Sequence, residues 1–201
     1  MENKFSIRIA KKADARAILD IYKPFILNTA VTFEEVVPDE DEFKKRMTAI
    51  LWECPFLVCE TNGQVVGYAY ASAHRSRAAY RWNREVSVYV HPDFRRKNIA
   101  NALYHALFPI LKIQGYANLL AVITLPNQAS IAFHESFGFT KCAEYNNIGF
   151  KLGQWQKVGW WELSLIENPD EVPIVPVLFP ELKSGAEVKG CLKKSITFLK
   201  N

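Results

Sequence analysis

The chain has 201 residues, a formal net charge of +4, 49% hydrophobic residues and 23% charged ones. Such values describe one ordinary globular domain with a sizeable core, and exclude a disordered, collagen-like or membrane-spanning chain. The mild positive charge suits a small phosphate-bearing ligand, so neither a nucleic acid nor a membrane is expected as a partner.

Residues 1–4 lead straight into a strand pattern and not into a signal peptide, which predicts a cytoplasmic location. Residues 5–9, FSIRI, alternate as a short strand. Asp14 stands where an N-cap belongs for a helix over 14–27, with Ile18, Leu19, Ile21 and Tyr22 as its main apolar positions. Pro24 should kink or end that helix. Residues 29–37 read as irregular, and Pro38-Asp39-Glu40 opens a second helix whose acidic start suits the helix dipole. Strands at 56–60 and 65–72 flank Thr61-Asn62-Gly63-Gln64, a hairpin signal of Asn-Gly type. Cys54, Cys59, Cys142 and Cys191 show no CxxC pairing and read as reduced packing residues. Four scattered histidines lack metal-ligand spacing, so no metal is expected.

Residues 86–107, VSVYVHPDFRRKNIANALYHAL, pose the main question. A block of β-formers runs through one proline into Arg95-Arg96-Lys97. Ile99, Leu103, Ala106, Leu107, Ile110 and Leu111 then recur at helical spacing. Cations at a helix N-terminus oppose the dipole, and the first N–H groups there lack internal partners. An anion resolves both problems, and a phosphate is the obvious guest. The bland alternative is a solvated basic loop. Pro109 should kink the helix beyond this site. Residues 119–124, LLAVIT, read as a buried strand, followed by Pro126-Asn127 and a helix over 130–137. Gly138 suits a left-handed C-terminal position. The last strands fall at 140–145 and 155–165. From 167 to 180 the four prolines Pro169, Pro173, Pro176 and Pro180 exclude helix and central strand. The expected organisation is therefore a domain over 1–166 and an extension over 167–201 that packs on the domain or on a dimer partner.

Glu85 before SVYVHPD, then RRKNIA, LPNQASIAFHESFGF and GFKLGQWQKVGWW, occur in an order that resembles the GNAT acetyltransferases. Within them the chain is most similar to the phosphinothricin N-acetyltransferase group, over about residues 5–165. The resemblance implies an α/β fold with a central mixed, mostly antiparallel twisted sheet flanked by helices, whose splayed strands hold acetyl-CoA. It implies N-acetylation of a small amino-acid-like substrate by direct attack, and a homodimer. Two rival readings stay open, a peptide or protein acetyltransferase and a catalytically silent CoA-binding regulator. The family's pyrophosphate loop, Arg/Gln-x-x-Gly-x-Gly/Ala, departs here to Arg95-Arg96-Lys97-Asn98-Ile99-Ala100. Asn98 replaces a glycine but is the residue that best tolerates positive φ after glycine.

The resemblance assigns the backbone of Arg96, Lys97, Asn98, Ile99, Ala100 and Asn101, beside Arg95, to the CoA pyrophosphate. Val88, Tyr89 and Val90 would pair with the pantetheine arm, the N–H of Val90 polarising the thioester carbonyl. Asn127 would bond the pantetheine or thiol region, or simply cap a helix; Ser130 is a candidate contact or a cap. Glu85 is the candidate general base, with a solvated strand-end residue as the alternative. His134 would be a second base or relay, or a packed half-buried histidine. By the resemblance, Phe33, the segment 74–80 with Arg75, Arg77 and Tyr80, and Glu85 form the acceptor pocket, the arginines pairing bidentately with a carboxylate or phosphinate or else standing as exposed loop residues. Trp155, Trp160 and Trp161 read as packing and subunit contact.

Overall fold

The computed structural model describes residues 5–168 and 172–200. The N-terminal residues 1–4 and Pro169 of the extension lie outside the described residues. Seven strands form one sheet in the order β1 (Phe5–Ile9), β2 (Phe56–Thr61), β3 (Gln64–Ala73), β4 (Asn83–Val90), β5 (Asn118–Leu125), β7 (Gln154–Ser164) and β6 (Thr140–Lys151). Every neighbouring pair is antiparallel except β4 with β5. This is the mixed, mostly antiparallel sheet that the resemblance implies.

Helices cover both faces because their apolar stripes demand it. The helix α1 (Ala15–Asn28) buries Ile18, Ile21 and Ile26, and α2 (Glu40–Glu53) buries Phe43 and Met47. Together they cover Phe56, Val58 and Tyr68 on one face. The helix α3 (Ile99–Gln114) buries Leu103, Leu107, Ile110 and Leu111 against Leu57, Val66, Ala69 and Val86 on the other. Truncating any one of these fully buried leucines would cost about 2–5 kcal/mol. The short helix α4 (Gln128–Glu135) follows β5. Among the described residues no helix is long and apolar enough to cross a membrane.

Several local expectations need correction. Asp14 is not a side-chain N-cap. It closes a 3-10 turn, its carboxylate accepting from Lys11 N–H and from Arg8, which also pairs with Glu60. Pro24 does not end its helix, since α1 continues to Asn28; α3 runs through Pro109 to Gln114. By contrast Asp39 caps α2 as expected, accepting from Glu42 N–H at 2.8 Å. The β5 strand alternates in burial and leaves Val122 40% exposed, so only one of its faces is core. The β6 strand runs six residues beyond 145, with Asn147 at φ 51° in a bulge before pairing resumes at Gly149. The Phe33 ring packs directly over Gly149, so a side chain at position 149 would have to displace that ring.

The extension is folded despite its prolines. Pro180 sits in the first turn of a short helix α5 (Phe179–Leu182), where its missing N–H costs nothing, and α6 (Ala186–Ser195) packs against α3. Val188 and Ser195 of α6 are buried, as is Phe179 of α5, the helix that packs against α2.

Candidate active site

The β4 and β5 strands pair only where residues 83–85 meet 118–120. Beyond that point they part, β4 continuing to Val90 against β3 and β5 to Leu125 against β7. The direction of each backbone group in β4 follows from its register. His91 N–H bonds Val66 C=O at 2.9 Å, which makes Gly67 and Val90 a pair without mutual hydrogen bonds. Antiparallel alternation then turns the N–H and C=O of Val88 and Val90 away from β3 and into the gap. Tyr89 differs from the expectation. Its backbone pairs with Tyr68, and its ring packs against Tyr22, Phe25 and Tyr68.

The gap opens into a cleft of about 560 Å³. Val88, Val90 and Arg95 line one side of it, and Val122, Asn127, Ser130 and His134 the other. At its end the chain enters α3 through two left-handed residues, Arg96 and Asn98, both at φ 63°. The first helical bond runs from Ala102 N–H to Asn98 C=O, so the N–H groups of Ile99, Ala100 and Asn101 precede the ladder. Left-handed residues alternating with others, just ahead of a helix N-terminus, form the kind of concavity that holds phosphate oxygens. Ile99 contributes only backbone, because its side chain is buried in the core against the Cα of Gly67.

Asn127 caps α4, its Oδ1 accepting from Ser130 N–H at 3.2 Å. Ser130 is therefore the capped residue and not a cap. His134 is 6% exposed and both ring nitrogens are engaged. Nδ1 lies 2.8 Å from Ser130 C=O, which can only accept, so this nitrogen carries the proton. Nε2 then accepts from Tyr104 O–H at 3.1 Å. Burial pushes the His134 pKa down, against the opposing effect of the Ser130 carbonyl. The ring is held neutral.

A consequence for stability follows. Below the unfolded-state value of about 6.5 the unfolded chain takes up a proton that native His134 resists, so stability falls as pH drops from about 6.5 toward the lowered native value. A His134→Gln variant should show a smaller loss of Tm between pH 7 and pH 5 than the parent chain. Equal losses would show that this histidine does not contribute to the acid sensitivity.

Glu85 lies on the other face of the sheet, the face of Ser87, Tyr89 and α1, while His134 lies on the face of α3. The structure does not bring the two together. Instead Glu85 accepts from His74 Nδ1 at 2.8 Å, and the imidazole ring stands edge-on to Tyr80 and Trp160. The Trp160 indole N–H is buried without an acceptor. Sequence reasoning places His74 only as the start of the acceptor-pocket segment 74–80 and reads Trp160 as packing; it signals neither the His74–Glu85 contact nor the orphaned indole N–H. Only the β3–β4 register, with Ser72 opposite Glu85, signals the first of them.

Tyr80 is 41% exposed, and Arg75 and Arg77 stand in the exposed segment between β3 and β4, outside the cleft. Phe33, also half-exposed, projects from a pinned segment. The Tyr22 hydroxyl bonds Thr32 and Glu34, Arg46 bonds Glu34, and Lys151 donates to the carbonyls of Thr32 and Glu34. Among the described residues no three His, Cys, Asp or Glu side chains converge as a metal site.

The family model described as the acetyltransferase (GNAT) domain matches residues 7–160. The phosphinothricin N-acetyltransferase of Streptomyces viridochromogenes is 33% identical over 171 residues, covering 85% of this chain and 93% of the relative. The L-methionine sulfoximine/L-methionine sulfone acetyltransferase of Salmonella typhimurium is 36% identical over 167 residues, covering 81% and 96%. Among solved structures, a GNAT superfamily phosphinothricin acetyltransferase from Sinorhizobium meliloti in complex with acetyl-CoA superposes with a TM-score of 0.81 at 35% identity. That match covers 90% of this chain and 98% of the other.

Proposed function

Because the chain belongs to the GNAT acetyltransferase family, we propose that it transfers the acetyl group of acetyl-CoA to the α-amine of a small amino-acid-like acceptor. One observation carries the reading: strands that part beside a helix N-terminus, with an engaged carboxylate at the fork. The residues fit the donor. Val88 and Val90 offer strand-like backbone partners for an extended amide-bearing arm, and the N–H groups near Asn98 suit a pyrophosphate. When bound, acetyl-CoA supplies an activated thioester.

The chain's own residues do the rest. Val90 N–H donates toward the carbonyl oxygen of the bound acyl group, where negative charge grows. Glu85 takes a proton from the acceptor ammonium, directly or through a water, and His74 fixes the carboxylate's orientation. His134 holds the Tyr104 hydroxyl against the wall of the cleft. Tyr80 and Trp160, both edge-on to His74, would wall the acceptor side of the fork, with Arg75 and Arg77 available to the acceptor's acid group. No cysteine has the positioned base that a covalent route needs, which supports direct attack.

The exposed arginines favour an acidic small acceptor over a basic peptide, and the intact fork with Glu85 argues against a silent regulator. A thiol-release assay against amino acids, methionine sulfone, methionine sulfoximine, phosphinothricin and peptides should show turnover with the amino-acid-like amines. Turnover with peptides alone would overturn the acceptor class.

The β6–β7 hairpin exposes Tyr145, Ile148, Phe150, Leu152 and Trp155, more apolar surface than one hairpin usually leaves wet. This supports a homodimer, and light scattering at micromolar concentration should report two chains. Four free cysteines suit the reducing cytoplasm, which cell fractionation checks.

A further inference from the structure

We propose that the end of the extension, residues 196–200, is a positioning element for the loop over 95–101, and that Asn98 is the hook by which it holds that loop. The proposal rests on the reading that this loop binds acetyl-CoA.

Two side-chain-bearing residues, Arg96 and Asn98, occupy left-handed backbone in this loop. Asparagine tolerates that region, arginine less so, and such conformations persist only where the surroundings over-determine them. The extension provides the surroundings. After α6 the chain makes a 3-10 turn, Ile196–Phe198, and runs alongside the loop. Asn98 Nδ2–H donates to Phe198 C=O at 2.5 Å, and Lys200 N–H donates to Lys97 C=O at 3.1 Å. The Phe198 ring stacks on His105 at 3.7 Å between centroids. His105 in turn bonds Asn101 C=O through Nδ1 at 2.9 Å, in the first turn of α3. The grip thus reaches both halves of the anion-binding turn.

The segment is itself anchored. Val188 and Ser195 of α6 are buried, and α6 packs along α3, the helix whose N-terminus the loop forms. The residues matched by the family domain, 7–160, do not include this anchor. A glycine at position 98 would allow the left-handed backbone but carry no amide. The asparagine keeps the conformation and gains a donor for the extension. Substitution and extension work as two halves of one device, in which the tail keeps the loop in its binding-competent form. Phe198 and Lys200 are positioning residues, since they act through the loop.

A loop that is competent only part of the time weakens apparent affinity by the competent fraction, without altering the bound state. The full chain and a chain ending at Ser195 are compared, each with Asn98 and with Asn98→Gly, by calorimetry with acetyl-CoA and by steady-state kinetics. Truncation should raise the acetyl-CoA Kd and KM about tenfold, with kcat at saturation within about twofold. With Asn98→Gly the truncation should change Kd much less, because the hook is already gone. Phe198→Ala in the full chain, which removes the stack on His105, should move KM in the same direction if the shorter chain fails to fold.

Full-chain affinity in the truncated protein would overturn the proposal, as would a fall in kcat at unchanged KM. An equal truncation effect with and without Asn98→Gly would remove the hook from it. A full chain that binds no acetyl-CoA would instead overturn the enzyme reading itself, which distinguishes the two failures.

Discussion

Glu85→Gln lowers the maximal rate by about two to four orders of magnitude and leaves acetyl-CoA affinity near its starting value. The substitution keeps the length and planarity of the side chain and removes only its capacity to take a proton. On the proposed reading the donor is bound by backbone groups of β4 and by the loop before α3, none of which Glu85 supports. The loss should therefore fall on turnover. His74 sharpens the expectation, since its Nδ1 lies 2.8 Å from the carboxylate and would fix the orientation in which the proposed base works. His74→Ala should cost less than Glu85→Gln, because it frees the base without deleting it. Rapid-quench and steady-state assays with saturating acetyl-CoA make the comparison. Near-normal turnover in Glu85→Gln would transfer the base to bulk water or to another residue.

Val90→Pro should lower kcat by about two to three orders of magnitude while the protein stays folded. Proline removes one N–H, and at most strand positions that breaks a ladder bond. Position 90 is different. His91, not Val90, makes the last bond from β4 to β3, so the Val90 N–H points into the gap and no sheet bond is lost. Tyr89 before it is already extended, as a residue preceding proline must be. The variant separates a donor needed for the reaction from one needed for the fold. Circular dichroism and thermal melts check the fold, and initial rates check the donor. Full activity in a folded Val90→Pro chain would exclude this N–H from the reaction.

The fold was legible wherever the deciding interaction is local. The Asn62-Gly63 turn takes positive φ at both residues, 50° and 77°, so two adjacent residue types specify the hairpin. The α3 stripe repeats every three or four residues and is read directly. The length of β6 was not legible. Asn146, Asn147 and Gly149 carry turn chemistry, yet they bulge and rejoin the ladder because β7 lies beside them and Phe33 fills the space over Gly149. Such information is tertiary. The α6 helix was hidden similarly, since prolines upstream and a modest apolar stripe give no sign that α3 would cover it.

In the site, Glu85, the basic loop and Asn127 could be picked out from the sequence and the resemblance, with roles that remain to be measured. The roles of partners were not. His134 reads from the sequence either as a base or relay or as a packed histidine, and its ring is occupied on both sides by Ser130 and Tyr104. That arrangement depends on α4 lying across α3. The resemblance places His74 in the acceptor-pocket segment, but only the β3–β4 pairing brings it beside the carboxylate.

The parting of β4 and β5 has a consequence for how this chain can change. On the proposed reading one half of recognition is written in the main chain: any residue other than proline that favours extended backbone at positions 88 and 90 presents the same donors and acceptors to the gap. The other half is written in side chains on the opposite face, around His74, Tyr80 and Trp160. The two alphabets share only the fork at Glu85. Drift in the second can redirect the chain to a new amine without disturbing how it reads the acyl donor, so preference for the acceptor is the trait this architecture leaves free to wander.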